Sequence, residues 1–102
     1  MMVDRSRLDE AGIVERMAEV PEWSREGEEI RRAFEAPSFA AGIELVVAVA
    51  AAAEEADHHP DIDVRWTTVR FALSTHSEGG LTRLDFAMAR RIDGLAAEHG
   101  AR

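Results

Sequence analysis

Leu8, Ile13, Met17 and Val20 recur at close to helical spacing, with Asp9, Glu10, Glu15, Arg16 and Glu19 between them. This pattern predicts a first helix over about residues 6–19, stopped at Val20-Pro21. Trp23 to Glu26 and Glu28 to Glu35 flank Gly27, and the alternation of Ile30, Arg32 and Phe34 makes them two short strands around a turn. Pro37-Ser38 opens a second helix, predicted from Ser38 to Ala56, with proline near the first turn where its missing N–H costs nothing. That helix is apolar on two sides. Phe39, Ile43, Val46, Ala50 and Ala53 form one stripe, and Ala41, Leu45, Ala48 and Ala52 form a second of small side chains. Such a helix is central to its domain or shared with a partner subunit. It is too short, and too clearly interrupted at Glu44, to cross a bilayer.

After Pro60 the period changes to two. Ile62, Val64 and Trp66 alternate with Asp61, Asp63 and Arg65; Val69, Phe71 and Leu73 alternate with Arg70. With Thr67-Thr68 as a two-residue loop, the expected register sets Trp66 opposite Val69, Val64 opposite Phe71 and Ile62 opposite Leu73, all six on one face. Gly79-Gly80 marks a loop, and Thr82-Arg83-Leu84-Asp85 has the form of a capping box. It opens a third helix whose buried stripe is Leu84, Met88, Ile92 and Leu95, ending near Glu98. The element order is α-β-β-α-β-β-α. The expected fold is α+β, a four-stranded antiparallel sheet with three helices on one face.

A chain of 102 residues is one domain, residues 1–102, with its core at about 8–98. With 46% apolar and 31% charged residues it falls among globular rather than disordered sequences. A domain of this size buries about two-thirds of its unfolded surface, so oligomerisation is a natural source of further burial. The 12 basic and 20 acidic side chains give a formal charge of −8, which repels nucleic acid. The basic doublets, Arg31-Arg32 and Arg90-Arg91, sit among acids and form no stripe. Cysteine is absent, which excludes disulfides and thiolate chemistry. The start, Met1 to Arg5, lacks the apolar segment of a secretory leader, so the expected location is cytoplasmic, with no membrane partner.

The expected hairpin ladder, carried outward, sets His59 opposite His76 and Pro60 opposite Thr75, where proline ends regular pairing. His58, His59 and His76 then gather at the open end of the hairpin, and the short loop before the third helix keeps Asp85 near them. Imidazoles titrate near neutral pH, so such a cluster suits proton transfer. Each member also has an ordinary structural explanation. His58-His59 favours a helix C-terminus, Asp85 completes a capping box, and Trp23 and Trp66 suit a core. Glu54 and Asp57 sit against the dipole at the end of the second helix, a mild local cost that hints at function. Three histidines and a carboxylate could hold zinc or iron, but adjacent histidines diverge and the His-x-His and His-x3-His spacings are absent. No metal is expected. Ser74 and Ser77 flank His76 without the glycines of a nucleophile elbow.

Glu54, His58-His59-Pro60, Trp66, His76 and Asp85, in this order and spacing, resemble the pattern of the pterin-4a-carbinolamine dehydratases. Trp23, Phe34, Phe39, Ser74-Thr75-His76, Gly80-Leu81-Thr82 and Ile92-Asp93 extend the resemblance from about Leu8 to Leu95. It implies the same α+β fold, a homodimer or homotetramer in which the small-residue stripe of the second helix meets a partner, and no bound cofactor. The implied reaction removes water from 4a-hydroxytetrahydropterin to give quinonoid dihydropterin, in recycling the tetrahydrobiopterin of aromatic amino acid hydroxylases. The resemblance implies His58 and His76 as the acid–base pair, with Asp85 orienting or charge-stabilising His76. It implies substrate contacts at His59, Pro60, Trp66 and Thr75, with Glu54 and Asp57 tuning the site. Two positions depart from the pattern. Ala36 replaces the second aromatic of a Phe-x-Phe, and Thr67 replaces an asparagine after the hairpin aromatic. Family relatives also act as protein partners, including a dimerisation cofactor of a transcription factor. A pterin role in molybdenum-cofactor metabolism is a third alternative.

Overall fold

The computed structural model describes residues 6–102, so the expectation about Met1 to Arg5 lies outside the described residues. Helix α1 spans Glu10–Met17. It starts later than the apolar spacing predicts because the Asp9 carboxylate accepts the Gly12 N–H at 2.8 Å and caps the helix there. The residues before it run alongside the third helix entry: the Leu8 N–H donates to the Leu81 carbonyl at 2.9 Å.

Strands β1 (Ser24–Glu26) and β2 (Glu29–Glu35) flank Gly27, whose φ of 63° lies where glycine is at ease. Helix α2 is Phe39–Ala56, and the Ser38 hydroxyl caps it by accepting the Ala41 N–H at 3.0 Å. Pro37 therefore precedes the cap and is not in the first turn. Strands β3 (Asp61–Arg65) and β4 (Thr68–Leu73), a single 3-10 turn (His76–Glu78) and α3 (Arg83–Glu98) follow. The antiparallel sheet has the order β1-β2-β4-β3, with the expected element order and class.

One face of the sheet makes the core. Ile30, Phe34, Val69, Phe71 and Leu73 pack with Leu45 and Val49 of α2 and Phe86 and Ile92 of α3. The small-residue stripe of α2 does not face outward as the resemblance implies. Leu45 and Ala52 belong to the domain's own core, and Gly42 lets Val69 approach so closely that an added Cβ would lie 3.2 Å from it. The outward face carries Phe39, Ile43 and Val47 instead.

The hairpin register differs from the expected one by two residues. Val64 lies opposite Val69 and Ile62 opposite Phe71, and the loop is Trp66-Thr67. A two-residue slip keeps every side chain on its expected face of the strand. Trp66 at φ 53° takes the left-handed position of this loop. The expected loop would put Thr67 there, and a β-branched residue tolerates positive φ worst. Trp66 is consequently 79% exposed rather than part of the shared apolar face.

The two departures from the family pattern touch each other at this hairpin tip. The Ala36 N–H donates to the Thr67 carbonyl at 2.9 Å. Glu35 accepts from the Thr67 hydroxyl at 3.0 Å and from the Thr68 hydroxyl. Those hydroxyls, Thr68 foremost, hold the Glu35 carboxyl below its ordinary value. No helix of the described residues is long and apolar enough to cross a membrane.

Candidate functional site

The site begins where α2 ends. Asp57 adopts the left-handed conformation (φ 50°), and its N–H returns to the Glu54 carbonyl at 3.3 Å while the His58 N–H returns to that of Ala53 at 3.0 Å. This reversal turns His58 into the domain and leaves it 7% exposed. Glycine is the usual occupant of such a position. Asp57→Gly is expected to stabilise the protein by about 0.5–1 kcal/mol, or about 2–8 °C in Tm for a domain of this size. Thermal unfolding checks this; a lower Tm would mean that the aspartate side chain itself holds the turn.

His58 meets the entry of α3. Its Nε2 lies 2.7 Å from Oδ1 of Asp85, which is 0% exposed. The second carboxylate oxygen accepts the Thr75 hydroxyl at 2.8 Å and the Thr82 N–H at 2.9 Å. Thr75 Oγ1 is also 2.8 Å from Thr82 Oγ1, which accepts the Leu84 N–H at 3.2 Å. Asp85 thus closes the capping box of α3 with one oxygen and holds a histidine with the other. The observed register explains the meeting: carried past the strand ends, it sets His59 opposite Ser74 and His58 opposite Thr75.

His59 points outward and pairs with the exposed Glu54. Pro60 is half-buried immediately before β3, where regular pairing begins. His76 follows Thr75 on the 3-10 turn and is exposed. It lines an open recess of about 390 Å³ with Ser74, Gly79 and three acids of the first hairpin, Glu26, Glu28 and Glu29. Glu28 also pairs with Arg7 at 3.1 Å, and the two side chains close over Gly80. Thr75 N–H and Gly80 N–H each donate to the other's carbonyl, at 3.2 and 3.4 Å, and pinch off the loop that carries His76.

This geometry bears on three of the expected site residues. The partner of Asp85 is His58 rather than His76, because the register places His58 beside Thr75. Thr75, 3% exposed, has its hydroxyl on Asp85 and Thr82 and its N–H on Gly80, which ties it into the entry of α3. Trp66 stands at the far end of the hairpin from His58, with all of β3 between them. Trp23 is core, its indole N–H donating to Asp93 at 2.8 Å. Glu26, Glu28 and Glu29 come beside His76 through the β2–β4 register, which no local motif announces. Thr82 was visible as a cap, and the hydroxyl contact to Thr75 is what its capping motif could not reveal.

Among the described residues no group of three or more histidine, cysteine or acidic side chains is arranged to hold a metal ion. The larger recess, about 650 Å³, lies on the helix-free face of the sheet between Arg31, Arg70, Asp61 and Asp63, with no histidine in its lining. A buried carboxylate on one imidazole nitrogen leaves the ring's other nitrogen for proton exchange, which is the equipment of general acid–base catalysis.

Residues 6–95 match the profile of the family described as pterin 4 alpha carbinolamine dehydratase. A Nocardia farcinica protein with the provisional name pterin-4-alpha-carbinolamine dehydratase is 55% identical over 89 residues, 87% of this chain and 94% of the relative. A Roseiflexus relative of the same provisional name is 51% identical over 88 residues, covering 86% and 95%. Among solved structures, a Brucella melitensis protein described as a transcriptional coactivator/pterin dehydratase superposes with a TM-score of 0.86 at 33% identity, over 89% of this chain and 99% of that one. A pterin dehydratase-like protein described as a RuBisCO assembly factor of the alpha-carboxysome superposes at 0.62 with 28% identity, covering 72% and 86%. Profile, sequence and fold agree over nearly the whole domain: the chain belongs to the pterin-4a-carbinolamine dehydratase family.

Proposed function

We propose that this protein dehydrates 4a-hydroxytetrahydropterin to quinonoid dihydropterin, with His58 and His76 as the acid–base pair. The C–O bond at C4a breaks, the oxygen takes a proton from one imidazole and leaves as water, and the other imidazole accepts a ring-nitrogen proton as the C=N bond forms. Hydroxide is a poor leaving group, so protonated histidine supplies what the reaction lacks near neutral pH. His59, with Glu54, is the pterin-contacting pair, and Pro60 and Asp57 shape the approach to it. The observation that carries this reading is the buried Asp85 on His58 Nε2. That carboxylate does more than cap α3: its second oxygen holds an imidazole, an arrangement suited to proton transfer. The test is the dehydration rate of freshly generated 4a-hydroxytetrahydropterin with the protein and with His58→Ala/His76→Ala. Acceleration that the double variant loses supports the reading; a rate equal to the spontaneous one, from folded protein, rejects it.

A second reading, association with another chain, draws on the outward face of α2. Phe39, Ile43 and Val47 lie one helical turn apart and are exposed together. The same face suits a homodimer or homotetramer, and two solved relatives are described as a transcriptional coactivator/pterin dehydratase and a RuBisCO assembly factor. Val47→Glu is expected to convert an oligomer to monomer in sedimentation equilibrium while far-UV circular dichroism is unchanged. An assembly state identical to that of the parent protein would put the interface elsewhere.

A further inference from the structure

We propose that Thr82 is a positioning residue for His58, acting through Thr75 and Asp85 so that Nδ1 of His58 is the nitrogen that exchanges a proton with substrate. The proposal rests on the dehydratase reading for its catalytic consequence, but the geometry behind it is independent of any substrate.

The direction of each hydrogen bond follows from counting protons. A threonine hydroxyl has one proton to donate. That of Thr75 goes to Oδ2 of Asp85 at 2.8 Å. The 2.8 Å contact between the two threonine oxygens must then be donated by Thr82. Thr82 in turn accepts from the Leu84 N–H, which as a backbone amide can only donate. The Thr82 N–H adds a second donor to the same carboxylate oxygen. The chain therefore runs one way, from Leu84 N–H to Thr82 to Thr75 to Asp85.

With both hydroxyls committed towards Oδ2, the carboxylate acts as an acceptor there, and Oδ1 is left to accept from His58 Nε2 at 2.7 Å. An ionised Asp85 then holds the proton of neutral His58 on Nε2. Nδ1 has no partner among the described residues, yet no buried side-chain nitrogen or oxygen is left unsatisfied, so this nitrogen reaches the surface. The remaining chemistry balances. His58 exchanges the Nδ1 proton with substrate while the Nε2 proton stays on the ring, donated to Asp85 Oδ1 throughout.

The test uses nitrogen-15-labelled protein and long-range proton–nitrogen correlation of the His58 ring, beside steady-state kinetics. In the parent protein neutral His58 is expected as the Nε2–H form alone. Thr75→Val cuts the chain while leaving the Thr82 cap of α3 in place. It is expected to mix the two tautomers and lower kcat about tenfold, the loss of one hydrogen bond, with KM little changed. Thr82→Val is expected to do the same, and Thr75→Ser and Thr82→Ser to restore both readouts. Ser38→Ala removes a comparable cap from α2 and is expected to lower stability without moving tautomer or kcat. An Nδ1–H ring in the parent protein overturns the proposal. So does a Thr75→Val variant with unchanged tautomer and kcat within about twofold of the parent. Absence of dehydration by the parent protein would instead reject the dehydratase reading, and the tautomer would still decide the relay.

Discussion

His58→Ala is expected to lower kcat for pterin dehydration by at least about 10²-fold, the range of a lost general acid or base. The variant also strips Asp85 of the donor at Oδ1, so circular dichroism must accompany the kinetics. His76→Ala is expected to cost at least about 10²-fold as well, by the same chemistry, with little loss of stability because the side chain is exposed. His59→Ala is expected to raise KM more than it lowers kcat. The contrast matters because His58 and His76 are anchored so differently. One is held by a buried carboxylate; the other stands on a short turn beside an open recess. Near-normal kcat in either of the first two variants would show that the acid–base pair has been assigned to the wrong side chains.

The second large effect is at Asp85, where two substitutions separate fold from chemistry. Asp85→Ala leaves the Thr82 N–H, the Thr75 hydroxyl and His58 Nε2 without their acceptor in a fully buried place. Leaving such groups unsatisfied is expected to cost about 2–4 kcal/mol, read as a shift in the urea midpoint. Asp85→Asn keeps the shape. Its amide oxygen takes the place of Oδ2, where two donors converge, so its NH₂ faces His58 and forces Nε2 to accept. The histidine then carries its proton on Nδ1, the wrong nitrogen. A stable protein with kcat reduced by about 10²–10⁴-fold is expected, as when an orienting aspartate elsewhere becomes asparagine. An Asp85→Asn variant with full activity would mean that the carboxylate serves only to cap α3.

Much of the fold is legible in the sequence because the periodicities are strong where the core is formed. Ile30 and Phe34, Val69, Phe71 and Leu73, and Met88 and Ile92 are all buried as their spacing predicts. Two misses come from the local backbone chemistry of turns and caps. Asp9 trims α1, and Trp66 takes the left-handed loop position and slips the hairpin by two residues. Apolar alternation cannot detect a two-residue slip, since every side chain stays on its face. That slip is also why the site was only half legible. The expected gathering of His58, His59 and His76 near Asp85 rests on chain order, but the pairing of Asp85 with His58 required the true register. Which α2 stripe faces inward is illegible for a different reason. Small and large apolar residues look alike as a pattern, and the close approach of Val69 to Gly42 decides which side faces inward.

The N-terminal arm has a consequence for how the protein breathes. Leu8 is bonded to Leu81, and the Arg7–Glu28 pair lies over Gly80 at the neck of the loop that carries His76. Loop and arm are therefore expected to open as one cooperative unit rather than fray separately. In native-state hydrogen exchange the amides of Leu8, Thr75 and Gly80 would report a common opening free energy, below that of the sheet centre. Any change that detaches the arm, even one distant from the histidines along the chain, would set the free time His76 spends out of place.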